Sequence, residues 1–506
     1  MSQQNPRGVI AKDLLDTVVP VIEANAASIW AVGALPVHSV PGFSWSASGY
    51  LSVVNVNVRC DSGPDWMTSL GYSSNWTVGT GYPVCQLYDY SFIENNASPL
   101  VICNVFEPYS MSTPVSLSNQ VPNAQLQIVV NQEVILASLV VKGASNRVYV
   151  AGTDYSYTYN DTTLQSGTIQ IFSSSQAATE SSFTVTFSKP NLSNITASTI
   201  IGGYDSKGNA LGLSNIQHCY TDTGVVPAQC VTPGYGSNPL VFSAANSQVQ
   251  AISNSQFRAV YVCDIDTTAV TNWTQIFSWK NSNNFVSAFA IAGWPKVQLG
   301  PNTYDFSTVY AVAQNVTTSQ FGNIPYAVPS NKHNVGITGI CLANGTPVRM
   351  DLGTANSIEN YGVVTAVNDT GWTLLGDFTT DYPLSTQIPQ MWTNERHMFN
   401  FLGNTLSLTL KQFIDDPGNQ RYLALIGETI QQYLNHLVVV QAANTARVMF
   451  DPAKNLITNI EIGQYTYTIL WTPPTPIRTL IVEQSYDVNG LSTWVSQITI
   501  RLNIGA

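Results

Sequence analysis

Asp264 and Asp266 close the stretch Arg258-Ala259-Val260-Tyr261-Val262-Cys263-Asp264-Ile265-Asp266. Two acids at that spacing on an extended chain project to the same side. Carboxylates at the end of a buried parallel strand are where α/β enzymes place catalytic or metal-binding groups. An α/β hydrolase or metal-dependent enzyme using Asp264 and Asp266 is therefore one reading. The other is that Asp264 caps the segment after the strand, as aspartate commonly does at such exits. Capping is the stronger reading, because no third partner accompanies the pair. His38, His218, His333, His397 and His436 stand far apart without ligand spacing. No GxSxG elbow, GxxxxGK[ST] loop, HExxH pair or complete dinucleotide fingerprint occurs. We expect no catalytic residue, no metal and no cofactor.

Seven cysteines are scattered without a CxxC pair, which excludes the usual zinc spacings. They read as buried reduced thiols, while Cys60, Cys219 and Cys230, placed by the sequence in loops, are candidates for disulfides between subunits. A further motif is Pro473 and Pro476 in PxxP spacing, with Arg478 two places on. An exposed polyproline II stretch would suit an SH3-like groove. The flanking runs, Gln464 to Trp471 and Ile477 to Glu483, are aromatic and β-branched. The prolines therefore read better as a stiff corner between two strands.

The chain has 506 residues, of which 10% are charged and 44% hydrophobic. Ordinary soluble domains carry roughly 25% charged residues, so this polar but uncharged surface suits a protein packed against neighbours. A net charge of -11 argues against an extended nucleic-acid footprint. The N-terminus lacks the apolar core of a signal peptide, and no apolar run approaches the length of a membrane span. Synthesis in a cytoplasm, without membrane insertion, is the expectation.

Five parts emerge along the chain. Residues 1–27 read as an N-terminal arm. Residues 28–112 with 198–390 read as an α/β domain, on continuous apolar strands such as Ser28 to Gly33, Pro99 to Val105 and Arg258 to Asp264. Residues 113–197 hold short alternating strands with Gly, Asn, Asp and Ser turns, an antiparallel sandwich or barrel inserted into that domain. Residues 391–490 form a C-terminal α+β module. There Met398, Leu402, Leu406, Leu410 and Phe413 mark one helix face, and Tyr422, Ile426, Ile430, Tyr433 and Leu437 a second. Residues 491–506 read as a terminal arm strand, since Ile498, Ile500, Leu502 and Ile504 alternate with polar residues.

The order of motifs resembles the contractile tail sheath proteins of bacteriophages. Ala31-Val32-Gly33-Ala34-Leu35-Pro36 comes first, followed by the Val101 to Phe106 strand. The inserted part carries Gly152-Thr153-Asp154-Tyr155, Gly167-Thr168-Ile169 and the closing strand Phe183 to Phe187. Ile201-Gly202-Gly203, Pro233-Gly234, the Asp264 strand, Asn360-Tyr361-Gly362-Val363, Gly463 and the Pro473 to Val482 stretch continue the series. Glu395-Arg396-His397 stands where the family often has paired arginines. The match spans roughly residues 28 to 490.

The resemblance implies a structural motor rather than an enzyme. Subunits would polymerise as a helical array of six-fold rings around a tail tube, between baseplate and tail terminator proteins, and contract to drive the tube through a host envelope. Such a protein is a virion component assembled in the bacterial host cytoplasm. The resemblance also implies that terminal arms add strands to neighbours' sheets. Val9, Ile10, Val19 and Val21 would serve in one arm, and Ile498, Ile500 and Leu502 in the other. Tyr465, Tyr467, Ile469, Pro473, Pro476, Leu480 and Val482 would form the acceptor sheet and its corner. A surface adhesin built on residues 113–197 is the remaining alternative.

Overall fold

The computed structural model describes residues 20–43, 53–332 and 336–503. Its largest element is an eight-stranded sheet in the order Asn57–Cys60, Leu100–Asn104, Ile29–Gly33, Gln229–Val231, Val260–Asp264, Ala290–Gly293, Val363–Asn368 and Trp372–Leu375. The two outermost pairings are antiparallel and all inner ones parallel. Parallel pairing requires crossovers that cover both faces. The helix Phe306–Gln320 takes the face of Gln229, whose amide donates to Ala311 O at 3.0 Å. The helix Pro239–Gln250 takes the opposite face, with Phe242 against the ring of Tyr261 at 5.9 Å. Val260 to Cys263 are consequently all buried, which is why the strand reads as an unbroken apolar run.

The start of the 239–250 helix follows from Asn238 and Pro239. The Asn238 side chain accepts from the Leu240 and Val241 N–H groups, and Pro239 occupies a position needing no donor. Gly293 has a different role. A Cβ there would collide with the ring of Phe306, so glycine lets the 306–320 helix begin against the sheet.

Residues 112–190 form two antiparallel sheets of their own. One has four strands, including Ser112–Gln120 and Phe183–Pro190, and the other three, with Gly167–Ile171 at its centre. Phe183, Val185 and Phe187 are buried while Thr184, Thr186 and Ser188 are half-buried, the period of two expected of a strand with one apolar face.

Helices Thr393–Leu410 and Gln420–Val439 follow, then a hairpin pairing Thr445–Phe450 with Tyr467–Thr472. The first helix buries Met398 and Leu402, as its spacing predicts, but it also buries Asn394, Asn400, Asn404, Thr405 and Thr409. These polar groups hold main chain. Asn404 accepts from Arg258 N at 2.9 Å and donates to Arg258 O at 2.8 Å, while Asn400 donates to Ala259 O at 3.2 Å. One residue further round the helix, Thr405 accepts from Ala24 N at 3.1 Å and Thr409 from Ile22 N at 3.0 Å. The four-residue spacing puts each pair on one face.

The compact part of the chain ends at Pro474, and residues Thr475–Ala506 form a second unit. Within that unit the helix Val488–Asn503 is the one regular element among the described residues.

Lys280 is fully buried in the helix Ile276–Ser282. Its ammonium donates to Tyr361 O at 2.6 Å, Thr380 O at 2.8 Å and Tyr382 O at 2.7 Å, joining that helix to two turns distant in sequence. Lys280→Met would strand three carbonyls in a dry site. It should lower stability by about 3 kcal/mol, read as a fall in urea midpoint, whereas the exposed Lys207→Met should leave it unchanged.

Candidate functional site

The 445–450 and 467–472 strands form an isolated two-stranded ladder, and its two outer edges differ. Gln431, from the 420–439 helix, accepts from Val448 N at 2.9 Å and donates to Ala446 O at 3.4 Å. Those two groups therefore face away from the partner strand, and the outer edge of 445–450 is occupied. Val448 pairs with Ile469 and Ala446 with Trp471. In an antiparallel ladder both members of such a pair point their N–H and C=O outward. Tyr467, Ile469 and Trp471 thus present main-chain groups along an edge where no other strand pairs among the described residues. Residue 466 closes one end, with Thr466 N donating to Asn455 Oδ1 at 2.7 Å. A groove of about 670 Å³, lined by Phe399, Ile469 and Trp471 among others, lies beside the hairpin. The rings of Phe399 and Trp471 are 5.1 Å apart.

The expected acceptor residues are partly brought together here. Tyr467 and Ile469 lie on the open edge, and Tyr465 sits just before the strand with its hydroxyl 3.4 Å from Gly418 O. Pro473 is buried at the end of the strand, and the Pro474 carbonyl accepts from Asn394 at 2.8 Å. A buried Pro473 and a half-buried Pro476 speak against the docking-peptide reading, and since no strand follows them among the described residues the expected corner between two strands is not formed either. Trp471, Gln431 and Phe399 were missed by sequence reasoning. The aromatic run named Trp471 only as a flank, and nothing local marks the other two.

Three expectations are corrected. Leu480 and Val482 are not in a strand: residues 473–487 carry no regular structure, and these two side chains are 81% and 78% exposed. Ile498, Ile500 and Leu502 lie in the 488–503 helix rather than an arm strand. Val488, Leu491, Val495, Ile498 and Leu502 repeat at three and four residues, so the segment satisfies a helical period as well as an alternating one. As a helix the segment satisfies its own main chain. Cys60, Cys219 and Cys230 are not loop thiols available to a neighbour. Cys60 and Cys230 sit in strands of the large sheet and Cys219 starts a short helix, and all three are fully buried. Burial pushes the thiols of Cys60 and Cys219 up to about 12 and that of Cys230 upward as well, which removes the reactive thiolate. Val21 is half-buried against the main core beside the 393–410 helix of its own chain. Val9, Ile10 and Val19 lie outside the described residues.

The acidic pair stands at the C-terminal end of the central strand, beside a cavity of about 510 Å³. Asp264 accepts from Ser307 N at 2.8 Å and Ser307 Oγ at 2.6 Å, so it caps the first turn of the 306–320 helix rather than the segment directly after it. Asp266 takes the local role, accepting from Thr268 N at 2.8 Å. Nearby, Asp305 pairs with Lys296 and accepts from Gly234 N at 2.7 Å, and Gln86 accepts from Asp305 N at 2.7 Å. Burial first, then the charge of Asp305, raises the Asp264 carboxyl to about 7, partly offset by the Ser307 donors. The Lys296 ammonium instead holds Asp305 below the usual carboxylate range. Among the described residues no three His, Cys, Asp or Glu side chains are grouped to hold a metal ion. The carboxylates fasten a helix to the sheet, and each has its partner within the chain.

No protein-family model matches the chain. It is 22% identical over 428 residues to the tail sheath protein of Burkholderia phage BcepMu, covering 80% of this chain and 84% of that protein. It is 22% identical over 312 residues to a putative prophage major tail sheath protein of Pseudomonas aeruginosa strain UCBPP-PA14, covering 60% and 75%. Its fold matches the contracted helical sheath of the anti-feeding prophage with a TM-score of 0.54 at 12% identity, over 96% of this chain and all of that one. It matches the contracted sheath of the PVC extracellular contractile injection system with a TM-score of 0.53 at 12% identity, over 97% and 100%. The sequence relatives, over 80% and 60% of the chain, are tail sheath proteins, and the fold matches contractile sheaths over at least 96% of it.

The carboxylate cluster sets a pH dependence. Unfolded, Asp264 ionises near about 3.9; folded, it does so near about 7. Between those values the folded state holds the extra proton, so the contribution of Asp264 is complete below about pH 4 and is lost as pH rises towards 7. The stability of Asp264→Asn relative to the parent should therefore increase between about pH 4 and about pH 7, by a few kcal/mol. Urea unfolding across that window checks it, and a constant difference would refute the assignment. Asp305→Asn should move the window downward.

Proposed function

We propose that this chain is the structural subunit of a contractile tail sheath, not an enzyme. Copies polymerise into a helical array and contract to drive an inner tube through a cell envelope. The observation that carries this is the coincidence, over at least 96% of the chain, with subunits of contracted sheaths, joined to sequence relatives that are tail sheath proteins. The carboxylate site offers no rival, since its groups are spent on holding a helix.

In this reading residues 28–112 with 198–390 are the middle domain, 113–197 an inserted domain, and the part from 391 the inner module that faces a tail tube. Rings of six, a baseplate below and a terminator above complete the assembly. The particle is a virion component put together in the host cytoplasm. No helix among the described residues is long and apolar enough to cross a membrane. A polar, scarcely charged surface fits a lattice subunit better than a freely dissolved protein.

We further propose that copies are linked by strand addition at the open edge of Tyr467, Ile469 and Trp471. The donor is a terminal segment of another copy. The exposed run containing Leu480 and Val482, and the N-terminal residues Val9, Ile10 and Val19, are the candidates. Strand addition satisfies main-chain groups without needing a particular side-chain match, so it can persist while rigid bodies turn relative to one another.

Negative-stain microscopy of the concentrated full chain should show long hollow tubes, and a monodisperse monomer would overturn the assignment. A pair of proline variants tests the edge. The Ile469 N–H points outward, so Ile469→Pro should leave the hairpin intact and remove the tubes. The Leu470 N–H points inward, so Leu470→Pro should lower stability as well. Persistence of tubes in Ile469→Pro would place the joint elsewhere.

A further inference from the structure

The 112–190 β-segment is joined to the large sheet in an unusual way. Its buried apolar side chains, among them Ile128, Ile169, Phe183 and Val185, form a cluster separate from the main core. Polar contacts cross the boundary. Ser74 N donates to Thr162 O at 2.9 Å, the Ser74 and Thr162 hydroxyls lie 2.8 Å apart, and Ser73 Oγ donates to Thr163 O at 3.1 Å.

At the centre is Glu133, 2% exposed. Tyr82 OH donates to its Oε1 at 2.7 Å, and His38 Nε2 lies 3.1 Å from the same oxygen. Gln165, from the segment itself, donates to Oε2 at 3.2 Å. The His38 ring is fixed in turn, with its centroid 6.3 Å from that of Tyr82 and 5.9 Å from that of Phe106. The loop carrying Glu133 is pinned by Tyr159 OH donating to Val134 O at 2.5 Å. Burial and the neighbouring carboxylate keep the Tyr82 hydroxyl well above its ordinary value, so it remains a donor at all physiological pH.

A buried carboxylate is tolerated only where its hydrogen-bond donors are in place. Glu133 is supplied by the segment, and His38 and Tyr82 by the α/β part. We propose that Glu133 is a latch that fixes how the 112–190 segment sits on the sheet, and that opening it frees the segment to swing on its two short connections, residues 107–111 and residue 191. Phe106, Leu192 and Ile195 belong to the main core and stay with the α/β part, while the segment carries its own apolar cluster, so movement confined to the short stretches between them exposes neither core. The proposal concerns the single subunit and does not rest on the assembly described above.

Chymotrypsin cleavage of the full chain at Tyr109, in the first connector and half exposed, reads the latch. Cleavage at the exposed Tyr486, in the second unit, serves as the internal control. Glu133→Ala should speed cleavage at Tyr109 about tenfold or more at unchanged Tyr486 cleavage, and Glu133→Gln less. Glu133→Ala with His38→Leu should be no faster than Glu133→Ala alone, because both open one latch. Hydrogen exchange of the Phe183–Pro190 ladder should stay slow in every variant. Three results would overturn the proposal: Tyr109 cleavage within twofold of the parent, effects that multiply in the double variant, or loss of ladder protection, which would mean that Glu133 maintains the segment's fold rather than its seat.

Discussion

The 393–410 helix holds the chain together by turning amides and hydroxyls, rather than a purely apolar stripe, towards main chain. Asn404 closes a reciprocal pair of hydrogen bonds on Arg258, two residues before the central strand, while Thr405 and Thr409 hold the residues leading into the first strand. A leucine in place of Asn404 would leave the part-buried N–H and C=O of Arg258 without these partners. Hydrogen bonds of this kind also fix register, which apolar contact alone leaves free to slip. The position of the hairpin and of its open edge descends from that helix through Asn394 and the Pro474 carbonyl.

The same economy governs the few charges within the chain. Each of three deeply buried charged groups ties together elements far apart in sequence. Lys280 serves three carbonyls, Asp305 is shared by Lys296, a glycine N–H and Gln86, and Glu133 spans two clusters of apolar side chains. Of the two acids that look catalytic in the sequence, Asp264 acts in the same way through Ser307, whereas Asp266 serves only its own turn. Strand ends in α/β folds attract carboxylates because helix N-termini arrive there, and a capped helix requires no substrate to account for the acid.

Much of this was legible in the sequence. Strands covered on both faces are unbroken apolar runs, the 112–190 strands alternate, and the two late helices repeat every three or four residues. The open edge was not legible, because its direction depends on Gln431 reaching Val448, seventeen positions further along the chain. Nor was the carboxylate cluster, drawn from residues 86, 234, 264, 296, 305 and 307. Residues 488–503 carry both periods at once, so local pattern alone could not separate helix from strand. The cysteines misled for a simpler reason: polar neighbours made Cys60, Cys219 and Cys230 look like loop residues, whereas each occupies a regular element whose side chain turns inward.

The scarcity of charge bears on the media such an assembly can tolerate. Ion pairs between exposed groups weaken as salt rises, because the screening length shrinks from about 10 Å at 0.1 M to about 3 Å at 1 M. Main-chain ladders and apolar contacts are not weakened by that screening. With one residue in ten charged, and an open edge made of N–H and C=O groups, a joint formed at that edge would gain little from ion pairs that salt could screen. Ionic strength is then a weak lever on a joint made in this way.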